Sequence, residues 1–499
     1  MSRSDSYLAT DDSDLRGRSV LAVRWSIGGQ VASIALTLLS VSALSRLLSP
    51  DDFGLVAMAM TVQGFLMLFA EGGFSFAVVQ QKHVDQHQAS NLFWANAGLG
   101  LLVTGVACAL AWPTALLFRD SRLTLVSIAM SPGIFLAALG VQHGAMLRRG
   151  LHFRRTVVPI VGSQTIALGL AMVSAIRGFG YWSLVVQQVA LVGSKTLLSW
   201  AACGWRPSRP RRGSGTRRLL SLGSAWTTSE ALGYFRRSLP QFFVGWLCGP
   251  SELGVFTRAT ALMLQPFQRA IGPISSVAIP ALSRVQDQPE RFGKAMRDGT
   301  MLVGFIAVPA CASIAVFADQ IVLLILGRDW EACVPVLRAT IPGAFGVTAM
   351  MPPMSWAFNA LGKSRAQARW ALGSLIVAAV LVSLGSPFGM LGISLASSIA
   401  AIIAYWSGLH VALRGTGMSC WLVFRELSIS LLASAGGSIA ALWASKVTLD
   451  PLGMGPSFAV SMVAFAATYL AGWLLAPAGR RRLRSIQDTL MRGRRQTRP

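Results

Sequence analysis

The chain has little charge for its length. Of its 499 residues, 13% are charged and 53% are apolar, whereas soluble domains carry about 25% charged residues. A large soluble domain is therefore excluded. Apolar runs of about 20 residues, long enough to cross a membrane as a helix, recur along nearly the whole sequence, and the alternating segments of about 10 residues typical of a transmembrane β-barrel are not visible. The composition predicts an all-α polytopic membrane protein.

Residues that bind metals or react covalently are also scarce. Six cysteines occur singly and five histidines are dispersed, so we expect neither a metal site nor a cofactor. No G-x-x-x-x-G-K-[ST] loop for ATP is present. The predicted outer loops are short, which leaves little room for a catalytic domain and predicts that the protein is not an enzyme. The first 18 residues lack the apolar core of a signal peptide, so we expect the first helix to direct insertion.

Polar loops, Gly and Pro divide the apolar sequence into about fourteen predicted spans. Spans 1 to 14 lie near residues 22–46, 53–79, 90–116, 123–147, 156–176, 179–203, 219–247, 252–281, 299–326, 333–361, 367–386, 389–413, 421–445 and 456–477. The predicted regions are an N-terminal tail (1–21), an N-lobe (22–203), a basic linker (204–218), a C-lobe (219–413), spans 13 and 14 (414–477) and a basic C-terminal tail (478–499).

Lys and Arg are unevenly distributed among the predicted loops. If the N-terminus is cytoplasmic, 32 of the 44 basic residues fall on the cytoplasmic side, six on the other side and six within spans. Because cytoplasmic loops carry an excess of Lys and Arg, both termini and the linker are predicted to be cytoplasmic. Attraction of these residues to anionic membrane lipids accounts for the net charge of +24 without nucleic acid as a partner.

A short motif occurs twice. The N-terminal motif copy, SPDDFGLV at 49–56, joins spans 1 and 2, and the C-terminal motif copy, GPSELGVF at 249–256, joins spans 7 and 8. A weaker sequence similarity relates FGYWSL at 179–184 to FGMLGI at 388–393. Pro and acidic residues are ordinary at helix starts, but both pairs are six spans apart. They favour two parallel six-helix lobes, to which spans 13 and 14 are appended.

The stretch ALSRLLSPDDFGLVA at 43–57 resembles polysaccharide-transport (Wzx-like) flippases of the multidrug/oligosaccharidyl-lipid/polysaccharide exporter superfamily. Further matches are NLFWAN at 91–96, GVFTRA at 254–259 and IPALSR at 279–284. Similar proteins carry an Asn-x-Asp-like run in helix 7, where this chain has SLPQ at 238–241. Coupling to a cation therefore stays open.

The resemblance implies two lobes around a central cavity in the bacterial inner membrane. By alternating access they would move polyprenyl-pyrophosphate-linked oligosaccharides in exopolysaccharide or surface polysaccharide biosynthesis. The partners implied are the lipid-linked oligosaccharide, a polysaccharide polymerase and export machinery.

Ionisable side chains inside spans are costly and by default mark a pathway. Helical spacing places several polar residues on three faces, and a cavity for pyrophosphate needs guanidinium groups. The predicted substrate-binding residues are Arg237, Arg258, Arg269, Gln265, Tyr234 and Gln30, and the predicted coupling residues are Glu71 and Glu230. The competing interpretation is structural, with Glu230 paired to Arg237 and with Ser and Thr on span 1 allowing close helix packing.

Two other functions stay open. A cation-coupled exporter of small amphipathic compounds shares the fold class, but its cavity should be acidic. The cavity predicted here contains three arginines and only two glutamates. A membrane polysaccharide polymerase or ligase would need a sizeable outer loop, which the predicted spans do not provide.

Overall fold

A computed structural model describes residues 15–71, 85–149, 153–211 and 216–476. Within these ranges the secondary structure is helical and contains no strand. The α-helices are α1 (Leu15–Ser45), α2 (Pro50–Glu71), α3 (Gln86–Ala109), α4 (Ala111–Phe118), α5 (Arg122–Met130), α6 (Pro132–Arg149), α7 (Phe153–Ile176), α8 (Trp182–Ala202), α9 (Thr216–Cys248), α10 (Pro250–Ser283), α11 (Pro289–Val316), α12 (Ala318–Ile325), α13 (Cys333–Phe345), α14 (Met351–Ala360), α15 (Ser364–Gly385), α16 (Gly389–Leu413), α17 (Cys420–Leu452) and α18 (Met454–Leu475).

Each predicted span overlaps one helix or a broken pair of helices, although residues 72–79 of span 2 lie outside the described ranges. Ten helical runs there are long and apolar enough to cross a membrane, and one of them, Ser364–Leu413, contains both α15 and α16. Helices α8, α9 and α10 fall outside these runs, because they carry the Gln, Glu, Lys and Arg residues of spans 6 to 8. The all-α polytopic class is confirmed, and the number of fourteen crossings stays a prediction.

Four predicted spans are broken. Span 3 divides into α3 and α4, span 4 into α5 and α6, span 9 into α11 and α12, and span 10 into α13 and α14 around a π-helical turn, Gly346–Met350. In three of them a proline follows the break (Pro113, Pro132 and Pro352); it lacks an N–H donor and crowds the carbonyl four residues earlier. The breaks occur in spans 3 and 4 and again in spans 9 and 10. This is the six-span interval of the repeated motif, which supports an internal duplication.

Contacts between residues divide the chain into two compact units. Unit 1 comprises the chain up to Arg258 with Ile325–Trp330 and Val382–Ile393, and unit 2 comprises Ala259–Leu324, Glu331–Leu381 and the chain from Ser394 onward. A core cluster of unit 1 forms around Phe93 and Trp205. The core of unit 2 forms around Trp356. The unit boundary passes through α10, whereas the lobe boundaries from the sequence stay a prediction.

The first part of the predicted basic linker is docked on α3 within unit 1. The Asn91 side chain donates from Nδ2 to the Arg211 carbonyl over 2.7 Å and accepts from the Arg211 backbone N–H over 2.9 Å. Trp94 Nε1 donates to the Ser208 carbonyl over 2.9 Å, and Trp205 is buried. The NLFWAN segment thus holds the linker backbone. Residues 212–215 lie outside the described ranges, as do residues 1–14, 72–84 and 477–499.

Candidate functional site

The two motif copies contact each other in unit 1. Helices α2 and α10 begin at Pro50 and Pro250, and each has a glycine four residues further on. A Cβ atom on Gly54 would overlap the carbonyl oxygen of Pro250, and one on Gly254 would overlap the carbonyl oxygen of Pro50. This contact, which we call the glycine interlock, is reciprocal. Backbones can approach so closely only where neither residue has a side chain.

Side chains stabilise the start of α2. Ser49 donates from its backbone N–H and its hydroxyl to Asp52 Oδ2 over 2.9 and 2.7 Å, and the Asp52 N–H donates to Ser49 Oγ over 3.3 Å. This exchange is a capping box, in which Asp52 takes the place of the usual Glu or Gln. It satisfies backbone donors that have no partner inside the helix.

An ion-pair cluster links the start of α2 to the turn between α4 and α5. Arg122 donates from Nη1 to Asp51 Oδ2 over 2.8 Å and from Nη2 to Asp120 Oδ2 over 2.7 Å. The hydrogen bond from the Arg122 side chain lowers the pKa of Asp120 below its ordinary value, and partial burial opposes that shift. The cluster therefore holds Asp120 ionised.

Arg258 packs against the N-terminal motif copy. Its guanidinium carbon lies 3.9 Å from the centroid of the Phe53 ring, a cation–π distance. The Phe53 ring also packs edge-on against Trp330, with centroids 5.3 Å apart, and Trp330 Nε1 donates to the Ser45 carbonyl over 2.8 Å. Phe53 and Trp330 are buried. In this conformation Arg258 is thus part of the packing beside the glycine interlock.

The polar face of α9 carries an ion pair. Arg237 Nη2 lies 3.6 Å from Glu230 Oε2, with the Arg237 and Glu230 side chains 53% and 39% exposed. The two residues are seven apart, and therefore two helical turns apart on one face. Exposed pairs contribute about 0 to 1 kcal/mol in water. The pair therefore leaves both charges available to a ligand that approaches this face.

Tyr234 connects α9 to α2. Its hydroxyl donates to the Thr61 carbonyl over 2.9 Å and lies 3.3 Å from the Met60 carbonyl oxygen. A Cβ on Gly64 would clash with the same hydroxyl. The predicted substrate-binding residue Tyr234 is therefore an interhelical contact in this conformation.

The other predicted site residues are on α1, α2 and α10. Gln30 is half-buried on α1 and Gln265 is exposed on α10. The side chains of Arg269 and Glu71 lie outside the described residues, although α10 is continuous from Pro250 to Ser283. Arg258 and Arg269 are thus on one uninterrupted helix, about 16 Å apart along its axis at ~1.5 Å rise per residue.

Three residues on the polar face of α1 have described contacts or burial. Gln187 Nε2 on α8 donates to Ser40 Oγ over 2.7 Å, Thr37 donates to the Ser33 carbonyl over 2.8 Å, and Ser33 is buried. The contact of Ser40 and the burial of Ser33 favour the interpretation that these serines serve helix packing, whereas Thr37 bonds within its own helix.

Sequence reasoning missed the partners of the predicted residues. Phe53, Trp330 and Arg122 contribute contacts that no spacing rule predicts. The signal for the interlock was present, since glycine occupies the same position in both motif copies. The contact of Arg258 with Phe53 was hidden because the two residues are distant in sequence.

Comparison with known proteins agrees with this architecture. The chain is 26% identical to the succinoglycan biosynthesis transport protein ExoT of Rhizobium meliloti over 82% of this chain and 81% of that protein. It is 22% identical to the lipopolysaccharide biosynthesis protein WzxC of Escherichia coli over 65% of this chain and 66% of that protein. Both relatives are named for polysaccharide biosynthesis.

Solved structures show the same fold. The lipid II flippase MurJ in an inward closed conformation matches with a TM-score of 0.71 at 14% identity, over 91% of this chain and 98% of that chain. A MATE family transporter in an inward-facing conformation matches with a TM-score of 0.61 at 16% identity, over 80% and 95%.

Two family profiles match the sequence. The one described as "Lipid II flippase MurJ" matches residues 259–463. The one described as "Polysaccharide biosynthesis protein" matches residues 43–335, which is more than half of the chain and includes both motif copies and the NLFWAN segment. The resemblance seen in the motifs is thereby confirmed, and the chain belongs to the polysaccharide biosynthesis protein family.

Proposed function

We propose that the protein is a flippase that translocates polyprenyl-pyrophosphate-linked oligosaccharide repeat units across the bacterial inner membrane. The observation that carries the proposal is the concentration of arginines on α9 and α10, two helices that lie outside the long apolar runs. Arg237, Arg258 and Arg269 offer bidentate hydrogen bonds that suit the oxygens of a pyrophosphate. Family membership and the name of ExoT support the polysaccharide class of the substrate.

The glycine interlock supports a mechanism of alternating access. Each motif copy begins the second helix of one predicted lobe, so their contact closes one end of the path between the lobes. Separation of the two copies would part backbone atoms at two glycines and the Phe53 ring from Trp330 and Arg258 beside them. In the proposed cycle the interlock opens when the substrate is released, and Arg258 leaves the Phe53 ring to meet the pyrophosphate.

The proposed topology places both termini and the linker in the cytoplasm and the glycine interlock at the outer face. It is tested by single cysteines introduced into a variant that lacks the six native cysteines. An impermeant thiol reagent added to intact cells should label a cysteine at the exposed Ser251 and miss one at Gly213. Labelling of the Gly213 site in intact cells would reverse the proposed orientation.

The proposal predicts the phenotype of a gene deletion. Export of a surface or secreted polysaccharide should stop, and lipid-linked repeat units should accumulate on the inner leaflet, with recovery on expression of the intact chain. Normal polysaccharide output in the deletion, in a strain with no second flippase, would refute the proposal. Export of amphipathic cations lost in the same strain would instead favour the cation-coupled exporter.

Arg269 separates a substrate-binding role from a structural one. The Arg269→Lys variant should insert into the membrane at normal abundance, and its transport rate should fall roughly tenfold. The reason is that an ammonium group cannot form the two parallel hydrogen bonds of a guanidinium. Arg284→Lys, just beyond the end of α10, is the matched control and should transport normally. If Arg269 only pairs with Glu71, reversal of either charge alone should lower abundance and transport, and exchange of the two charges should restore both. Full transport by Arg269→Ala at normal abundance would remove this residue from the proposed site.

A further inference from the structure

Unit 2 contains a pocket of about 440 Å³ between α15 and α16. On α15 the lining residues fall at positions 366, 369, 370, 373, 374 and 377, and the others run from Ile403 on α16 to Arg414, just after the end of that helix. This spacing places them on one face of each helix. Small side chains leave the space between the helices, and a Cβ on Gly373 would meet no atom within 4 Å. None of the predicted flippase residues lines this pocket.

The inner wall of the pocket is fixed. Trp370 Nε1 donates to the Ala404 carbonyl over 2.8 Å, and a Cβ on Gly408 would clash with the Trp370 ring. Two serines in the lining donate to carbonyls of their own helices, Ser374 to Ala371 over 2.9 Å and Ser407 to Ala404 over 3.0 Å. Their hydroxyl hydrogens are therefore directed away from a ligand.

Positive charge is concentrated at one end of the pocket. Arg369 lies near the start of α15 and Arg414 directly follows the end of α16, so the antiparallel helices bring both arginines to the same end. Neither guanidinium has an ion pair among the described residues. Lys363, in contrast, donates from Nζ to the Ala412 carbonyl over 2.9 Å and to the Arg414 carbonyl. The lysine thus caps α16 and leaves the two arginines as the charge of the pocket.

The opposite end of the pocket is apolar. Val377 is eight residues from Arg369 and therefore about 12 Å further along α15, and Ile403 faces the pocket from α16. On the same two helices Ile376 and Trp406 are exposed apolar side chains, as expected of a surface in contact with hydrocarbon. A cationic end joined to an apolar interior suits an amphiphile with a negative head group.

We propose that this pocket binds an anionic glycerophospholipid of the cytoplasmic leaflet. The phosphate of the head group lies between Arg369 and Arg414, and one acyl chain runs past Gly373 towards Val377 and Ile403. The leaflet rests on the topology proposed above, which has the cationic end of the pocket at the cytoplasmic face. A soluble anion would leave the apolar interior unfilled, and a zwitterionic lipid would lack the net negative charge that two guanidinium groups attract.

Binding can be measured on the purified full-length chain by native mass spectrometry, with phosphatidylglycerol and phosphatidylcholine of the same acyl chains as probes. We expect phosphatidylglycerol to bind wild-type protein more tightly. The double variant with Arg369→Gln and Arg414→Gln should weaken that binding about tenfold or more, since each basic residue near an anionic lipid contributes to the attraction. Arg365→Gln, one turn before Arg369 on α15 but outside the pocket lining, is the matched control and should bind as wild type does.

A second variant tests the acyl-chain path without a change of charge. Gly373→Leu fills open space, so it should fold normally and reduce phosphatidylglycerol binding, whereas Ala368→Leu outside the lining should not. Equal affinity for the two lipids, or unchanged binding in both the arginine and the Gly373 variants, would overturn the proposal. Displacement of phosphatidylglycerol by polyprenyl phosphate at equal concentration would assign the pocket to the carrier lipid instead. Because no arm of the experiment measures transport, its failure would leave the proposed flippase function untouched.

Discussion

The two motif copies differ in how the same turn is stabilised. In the N-terminal copy, Ser49 and Asp52 form a capping box. In the C-terminal copy the corresponding position is Gly249, whose φ of +92° lies in the region that L-residues avoid. One copy is held by side-chain hydrogen bonds and the other by a backbone conformation that glycine permits.

Both copies contribute to the close contact in the same way, because Gly54 and Gly254 each lie against the backbone of the other copy. The N-terminal copy alone adds Phe53, which packs on Arg258 and Trp330; its counterpart, Leu253, is fully buried. The contact that both copies form has a glycine on each side, whereas the supporting side chains differ between the copies.

The largest effect is expected from a side chain placed in the interlock. Gly54→Ala or Gly254→Ala sets a methyl group against a backbone carbonyl that cannot move aside, so each should destabilise the protein by about 1–3 kcal/mol or more. The melting temperature in detergent measures this. Gly105→Ala on α3 is the control, because a Cβ there meets no atom within 4 Å. If the interlock glycines behave like Gly105, the reciprocal contact does not exist in solution.

A smaller effect is expected when the N-terminal copy is made to resemble the C-terminal one at Phe53. Phe53→Leu should lose the aromatic contact and the cation–π contact, roughly 1–3 kcal/mol together. A double-mutant cycle with Arg258→Met isolates the Phe53–Arg258 term, for which we expect a coupling of about 0.5–2 kcal/mol. Strict additivity of the two substitutions would show that the guanidinium does not rest on the ring.

Exchange of the residues before Pro50 and Pro250 should lower stability by different amounts in the two copies. Gly249→Ser forces a side chain into positive φ and should cost about 1–2 kcal/mol, whereas Ser49→Gly keeps a tolerated N-cap residue and should cost only a few tenths of a kcal/mol. Melting temperatures of the two variants test the order. Equal losses would mean that both turns are held in the same way.

The smallest effect concerns the ion pairs of the N-terminal copy. The pKa of Asp120 is lower in the folded state, so its contribution is present above the unfolded-state pKa and is lost as the pH falls through the folded-state pKa. Asp120→Asn should therefore lower the melting temperature slightly at neutral pH. Below about pH 4 the melting temperature of this variant should decrease less with falling pH than that of the wild type. Arg284→Gln, outside the cluster, should leave the acid profile unchanged. An identical acid profile in wild type and Asp120→Asn would contradict the assignment.

Individual residues show how far the sequence could predict the site. The Glu230–Arg237 pair follows from helical spacing, and it is present at 3.6 Å. Tyr234 is on the predicted face, but its hydrogen bond to Thr61 depends on how α9 lies against α2. The position of Arg258 on α10 was predictable, whereas its contact with Phe53 was not, since the two residues belong to helices far apart in the chain. Broken spans were missed because the apolar pattern continues across each break.

The sequence by itself determined the membrane class, the approximate helical segments and the duplicated motif. A hydrocarbon layer requires long apolar helices whatever their neighbours are, and a repeat is visible without a structure. Only the tertiary structure decided which residues meet. The glycine interlock, the docking of the linker on α3 and the bond from Trp330 to Ser45, residues 285 positions apart, depend on contacts between distant segments. Helical periodicity places a side chain on a face, and only the packing of helices decides what that face touches.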